Sequence, residues 1–593
     1  MGQFDNDRDL RSISGGHKPG ESDELGASEI TKVGIGGATV NAGSPFIDLG
    51  YAKYEGVRDD GVLKWLGMRY ADKPTGNNRF AAPQDPPKSD EVVKADKFGA
   101  ICPPQTPDDY TVQGKTDRFR VDEDCLYISV FAPENPKRTR LPVMFFIQGG
   151  SFKSNSNANW NPANLVKDGE IIVVLFNYRV GPTGFAHSDE IKRKGALNAG
   201  ILDIKKALEW TKDHISAFGG DSDQIVLNGI SAGGTASALL MVVYRDAKRP
   251  PFAGAIIESG GWVTMRSMKQ GEEQYECLLN ATKCTDNIDT LACLRSKPET
   301  DLRTTGCWFD PGIDDQMFPK PLLDMFSDGA FAKVPTIMGF CNNEGTKSAA
   351  PQDTDTAEQA HTYFKKQDGA LTRGSLDILD DLYINRPGTY FPKAGRKWRQ
   401  TADAIGDIGT NCIVYELQNS IVKNAVPSLR GSSTDDLNPP TWNYRYAVSD
   451  EDDENAGYGT WHIVEQYALW GPNNTDNSAP ASYLPKGANE GITPVIRKYW
   501  LSFVKQLDPN KERDDGSPEW KTWSGAEDGQ RQRLVFMTGK TKMERMSQRR
   551  SLSCRATREM SVALGHPREE DQKTDLDGKL ARDAMGASDS MDY

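Results

Sequence analysis

The sequence predicts an α/β protein: a mostly parallel central sheet flanked by helices, lengthened by large insertions. Three observations carry that expectation. Short apolar runs of strand length recur at 143–147, 171–176, 225–228, 254–258 and 335–340. The run Gln224–Asn228 passes through a turn, Gly229-Ile230-Ser231-Ala232-Gly233-Gly234, straight into the helix-like stretch 235–241. Near the end, Ile496, Tyr499, Trp500 and Phe503 recur at helical spacing, the pattern of a helix packed on a core. A length of 593 residues allows several domains, but α/β folds with insertions run long as one unit. Residues 1–42 lack the apolar content that repays ordering and are expected to be disordered. One catalytic unit is expected over 43–539, closed by a strand at 533–537, before a charged, solvated tail at 540–593.

The turn at Ser231 carries the chemistry. Glycines two before and two after a serine let strand and helix pack closely and leave the hydroxyl exposed above the sheet. The helix that follows directs free amides toward negative charge forming near that serine. A hydroxyl is a poor nucleophile until a histidine takes its proton, and the histidine needs a carboxylate to hold its tautomer. In α/β-hydrolases the order along the chain is Ser, then Asp or Glu, then His. Of six histidines, His17, His187 and His214 precede the serine. His361 falls in a polar helical stretch and His566 in the charged tail, which leaves His462, on a loop after the strand-like run 442–448. For the acid, the turn after the apolar strand 334–340 carries Glu344, at the carboxyl end of a strand, where α/β sheets place their chemistry.

These residues resemble the type-B carboxylesterases and lipases, the family that includes the cholinesterases. The resemblance covers about residues 45–536. It rests on the Trp65–Ala71 segment with Pro74, Gly76, Arg79 and Phe80, the box Glu123-Asp124-Cys125-Leu126-Tyr127, Asn177–Pro182, Phe218–Asp221, the elbow, Pro335–Gly345 and the segment around His462. Ile47–Ala52 and Ile147–Gly150 look more like the fungal members. The resemblance implies an α/β-hydrolase fold, hydrolysis of carboxylic esters, and Ser231, Glu344 and His462 as the catalytic residues. It also implies an oxyanion hole from the backbone amides of Gly150, Ser151 and Ala232, and Ser259 as a support for the acid. Where the family usually has His-Gly-Gly-Gly-Phe, this chain has Gln148-Gly149-Gly150-Ser151-Phe152. A serine there costs strain if its φ is positive, and its Cβ narrows the acyl pocket. Ile230 replaces the glutamate many members carry before the nucleophile.

By the same resemblance, Cys102 pairs with Cys125 and Cys284 with Cys293. Cys277, Cys307, Cys341, Cys412 and Cys554 stay unassigned, and nine cysteines leave at least one thiol unpaired within the chain. Disulfides and the sequons at Asn280 and Asn473 imply an extracellular protein. The start of the chain shows no apolar secretion signal, so an intracellular location stays open.

A net charge of −13 and the absence of a basic stripe with aromatics argue against nucleic acid. No run reaches the roughly 18 apolar residues of a membrane span. No metal pattern, P-loop or dinucleotide fingerprint appears, so no cofactor is implied. The loop between Cys102 and Cys125 holds Tyr110 and Phe119 but no tryptophan, against a choline site of the cholinesterase kind. With 22 intervening residues it is short for a lipase lid, so a small-molecule ester is the expected partner. A lipase for longer chains and a non-catalytic binding or adhesion member of the same fold are the alternatives.

Overall fold

Strands Leu141–Ile147 and Ile172–Phe176 are buried at every position, because helices and loops cover both faces of the sheet they enter. A computed structural model describes residues 39–40, 44–106, 120–155, 157–261, 265–303, 306–347, 350–367, 371, 373–424, 439–475, 479–524, 530–546 and 554. Among these an 11-stranded sheet forms, beside a small sheet of Thr39–Val40, Pro45–Asp48, Lys53–Glu55 and Val92–Lys94. Read across, the large sheet begins with Val57–Asp59, Val62–Arg69 and Tyr127–Pro133, each antiparallel to its neighbour. It continues through Ile172–Phe176, Leu141–Ile147, Gly220–Ile230, Gly254–Glu258, Thr336–Cys341, Thr441–Tyr446 and Gln532–Phe536, all parallel. The antiparallel Lys542–Arg545 ends it.

Side chains alternate between two cores. Val143, Phe145, Ile147, Leu227 and Ile257 face one side with Leu239 and Leu240 of the helix Ala232–Val243. Met144, Phe146, Val226 and Ile256 face the other with Trp500 and Phe503 of the helix Ile492–Gln506. The chain leaves Leu141–Ile147 toward Ile172–Phe176 on one side and resumes at Gly220–Ile230 on the other. The strand order therefore reverses between Leu141–Ile147 and Gly220–Ile230, and the crevice outside such a switch point is where open α/β sheets bind ligands.

The folded unit extends past the expected limit at 539. Lys542–Arg545 pairs with Gln532–Phe536, and Cys554 is bonded to Cys412. The charges that made this stretch look solvated belong to an edge strand, which natural sheets protect with charge. Glu544 takes ion pairs from both Arg445 and Arg533 (2.7 Å) and is held below the ordinary carboxylate range; burial opposes the shift but those two cations outweigh it. Thr39–Val40, inside the stretch expected to be disordered, pairs with Pro45–Phe46, and the rest of the expected disordered stretches, 1–38, 41–42, 547–553 and 555–593, lies outside the described residues.

All nine cysteines are described. Cys102–Cys125 and Cys284–Cys293 are bonded, as the resemblance implied, and so are Cys277–Cys307 and Cys412–Cys554. Cys341 is the free thiol and is buried. The Cys412–Cys554 bond joins residues 142 apart in sequence, so its loss frees the largest loop in the unfolded chain. Chain-entropy reasoning gives such a bond about 2–5 kcal/mol. Cys554→Ser is expected to lower the thermal midpoint of so large a folded unit by roughly 2–5 °C. A scanning calorimetry trace with an unchanged midpoint would remove this bond from the sources of stability.

Candidate active site

Strand Gly220–Ile230 ends at Ser231, which has φ 54° and ψ −126°, before helix Ala232–Val243 begins. This is a strained apex, in a region non-glycine residues rarely occupy. Close packing makes the flanking glycines obligatory. A Cβ on Gly233 would stand 1.9 Å from the Ile147 carbonyl oxygen, and one on Gly229 would stand 2.1 Å from the Gly233 carbonyl oxygen. Ser231 N donates to the Glu258 carbonyl at 2.8 Å, which pins the apex to the end of the neighbouring strand.

The expected acid and base both arrive at this apex. His462 Nε2 lies 2.8 Å from Ser231 Oγ, and Nδ1 is hydrogen-bonded to Glu344 Oε2. Because an ionised carboxylate only accepts, Nδ1 carries the proton, which leaves Nε2 free to accept from the serine hydroxyl. Ser259 Oγ and Cys341 N both donate to Glu344 Oε1, each at 2.7 Å. Ser259 therefore touches Glu344. The Glu344 side chain is 1 % exposed and that of His462 is 32 % exposed. Burial works against charge on the imidazole, but the facing Glu344 carboxylate outweighs it and raises the His462 pKa above its ordinary value. The two loops are also tied by backbone. Asn343 N donates to Thr460 O at 2.8 Å, and Thr460 N donates to Asn343 Oδ1 at 3.0 Å.

The other described histidines lie elsewhere. His187 is bonded to the Ile313 carbonyl, His361 to Asp380 at 2.7 Å, and His214 packs on Trp210 and Tyr51. His17 and His566 lie outside the described residues, as do Tyr110 and Phe119 of the first disulfide loop.

After Leu141–Ile147 the loop Gln148–Phe152 runs beside Ser231. A Cβ on Gly149 would sit 2.9 Å from Ser231 Cβ. Ser151 does have a positive φ, 54°, and its side chain is exposed, while Ala232 opens the helix after the elbow. Ile230 is fully buried behind the apex.

Sequence reasoning missed a buried acidic cluster behind His462. Glu465 accepts from Tyr444 OH at 3.0 Å and from the Cys341 thiol at 2.8 Å. Glu258 accepts from Asn228 Nδ2, and from Gln466 Nε2 at 2.7 Å. Burial raises both carboxyls above their usual range, with Glu465 adding to the effect on Glu258 and Glu344 to that on Glu465. The signal available was Glu465 three residues after His462 and Glu258 next to Ser259, in a chain too rich in acids for either to stand out. Among the described residues, no group of three or more His, Cys, Asp or Glu side chains is arranged to hold a metal, and no helix is long and apolar enough to cross a membrane.

A hydroxyl bonded to an imidazole that is bonded to a carboxylate, on an elbow at the switch point of a mostly parallel sheet, defines an α/β-hydrolase with a serine at its centre. The sequence profile of the carboxylesterase family matches residues 44–555, and the chain belongs to that family. It is 34% identical over 481 residues to a para-nitrobenzyl esterase of Bacillus subtilis (strain 168), covering 78% of this chain and 90% of the relative. It is 29% identical over 514 residues to secreted lipase 4 of Gibberella zeae, covering 82% of this chain and 86% of that one. The crystal structure of Aspergillus niger EstA superposes with a TM-score of 0.79 at 34% identity, over 88% of this chain and 99% of that one. The chain is a carboxylic ester hydrolase, and its four disulfides fit an extracellular protein.

Proposed function

We propose that Ser231 is the nucleophile, His462 the general base and Glu344 the residue that orients and supports the base. The unbroken series of hydrogen bonds from Ser259 through Glu344 and His462 to Ser231 Oγ carries this reading. Ser231 Oγ attacks the ester carbonyl carbon while its proton passes to His462 Nε2. The carbonyl oxygen becomes an oxyanion that accepts from the amides of Gly150, Ser151 and Ala232; one such donor is worth roughly 10²–10³ in rate. His462 then gives its proton to the leaving alkoxide, and the alcohol departs from an acyl-enzyme. Water attacks the acyl carbon as His462 takes its proton. Collapse returns that proton to Ser231 and releases the carboxylic acid.

The presence of all three side chains in one bonded series weighs against a non-catalytic binding role. The Cβ of Ser151, beside the reacting carbonyl, favours short acyl groups over the long chains of a lipase. Secretion is the location the disulfides support, and the exposed Asn280 and Asn473 of the two sequons agree with it.

Ser231→Ala is expected to lower kcat on p-nitrophenyl acetate by about a million-fold. Equal turnover in both proteins would exclude the serine. Only neutral His462 can accept the proton, and its pKa is raised, so kcat/KM should fall as pH drops through that raised value. Glu344→Gln removes the carboxylate that raises it, so the acid limb should move to lower pH while kcat falls by up to about 10⁴. A pH–rate profile identical to the parent's would contradict the pairing. Ser151→Gly should raise kcat/KM for p-nitrophenyl octanoate relative to acetate by roughly tenfold, the worth of about one methylene of pocket contact. An unchanged ratio across the acyl series would show that Ser151 does not set chain length.

A further inference from the structure

The loop beside Ser231 takes positive φ at three consecutive residues, two of them non-glycine and so strained. Gly150, Ser151 and Phe152 have φ of 114°, 54° and 58°. A left-handed φ is strained for any non-glycine residue, and such a run persists only where its surroundings over-determine it. Backbone groups fix its middle and far end. Lys153 N and Ser154 N donate to the Gly150 carbonyl at 2.9 and 3.0 Å, Gly181 N donates to Phe152 O at 2.7 Å, and Gln105 N to Lys153 O at 2.8 Å.

The near end, where the loop leaves the sheet, is held by side chains. Asn157 Oδ1 accepts from Gly149 N at 3.1 Å, and Tyr178 OH donates to Gln148 O at 3.0 Å. Gln148 Nε2 donates to Phe176 O at 3.2 Å and to Asn177 Oδ1 at 3.3 Å, while Asn155 Nδ2 donates to Tyr178 O at 3.2 Å. These four amide side chains are all buried. Burying an amide costs free energy unless it is bonded, so packing alone would be served better by leucine.

Gly149 is the point where this cluster meets the reaction. Its Cα is so placed that a Cβ would be 2.9 Å from Ser231 Cβ, 3.0 Å from Asn157 Oδ1 and 3.0 Å from the Ile230 carbonyl oxygen. Any shift of Gly149 moves the two amides that follow it.

We propose that Asn157 is a positioning residue for ester hydrolysis: its bond to Gly149 N sets the height of the Gly150 and Ser151 amides over Ser231. This rests on the oxyanion role given to those amides above. A misplacement of about 1 Å at reacting groups costs about 10² in rate. Because the oxyanion exists only in the transition state and intermediates, the loss falls on kcat and not on KM.

The test compares Asn157→Leu, which keeps the volume and removes the acceptor, with Asn157→Asp, which keeps an Oδ1. Kinetics on p-nitrophenyl acetate are normalised to active sites counted by the p-nitrophenol burst, so that misfolded protein does not enter kcat. Asn157→Leu should lower kcat roughly 10–100-fold with KM within about threefold of the parent. Its affinity for an alkyl trifluoromethyl ketone, whose serine adduct carries the oxyanion, should fall by a similar factor. Asn157→Asp should recover at least about tenfold of the lost kcat. Parent-like kcat in Asn157→Leu, a loss confined to the number of active sites, or equal rates for the Leu and Asp variants would each overturn the proposal. Ser231→Ala in the same series separates the two levels. Turnover surviving in that variant would sink the serine mechanism itself, whereas a dead Ser231→Ala beside a normal Asn157→Leu would sink only the role of Asn157.

Discussion

Glu344 is the group on which the other positions depend. One carboxylate oxygen accepts from Ser259 and from the Cys341 amide, and the other faces His462. Its side chain is almost wholly buried, so it cannot turn to water and still leave those donors satisfied. That fixes the imidazole tautomer and the direction in which Nε2 accepts. The field of the carboxylate keeps the imidazolium accessible despite the low-dielectric surroundings that would suppress it. Ser259 reaches Glu344 only because it has φ 50°, at the end of strand Gly254–Glu258.

Strain is concentrated at the ends of the strands that meet here. Ser151, Phe152, Ser231, Ser259 and Ile463 all have positive φ and all lie at or beside the site. Each follows or adjoins a strand end or a tight loop whose far side is packed in one of the two cores. The cores hold the strand ends still, and local hydrogen bonds hold the turns in conformations that isolated segments would leave. A regular backbone would have sent these side chains and amides to the two faces of the sheet instead of to the carboxyl ends of its central strands.

The acidic cluster behind His462 shows the same economy of placement. Glu258 supplies the carbonyl that receives Ser231 N, while its side chain meets Asn228 and Gln466. Glu465 lies three residues after His462, across a turn, and receives the thiol of Cys341, the residue whose amide holds Glu344. Elements that bring the reacting groups together thus also carry the buried polar groups that lock their backbones. With both carboxyls raised, the pair sheds charge instead of stacking it beside Glu344.

Much of this was legible in the chain. Apolar runs announced the parallel strands, and the glycines around Ser231 announced the elbow, since close backbone approach admits no other residue. Chain order together with the local context of His361 and His566 then reduced six histidines to His462. Other features could not be read. Lys542–Arg545 looked like a solvated tail because an edge strand and a tail are both charged, and only pairing distinguishes them. The partners of Cys412 and Cys277 were unreadable because bond formation depends on distance in space, and 142 residues separate Cys412 from Cys554. Asn157 was invisible for a related reason: an asparagine in a polar loop looks solvated until burial turns its side-chain oxygen toward Gly149 N. The sequence by itself determined which residue types were present and in what order, because local steric and apolar requirements are written in neighbouring residues. The convergence of Ser231, Glu344, His462 and Asn157 was decided by tertiary structure alone, because it rests on the register of parallel strands whose ends carry loops far apart along the chain.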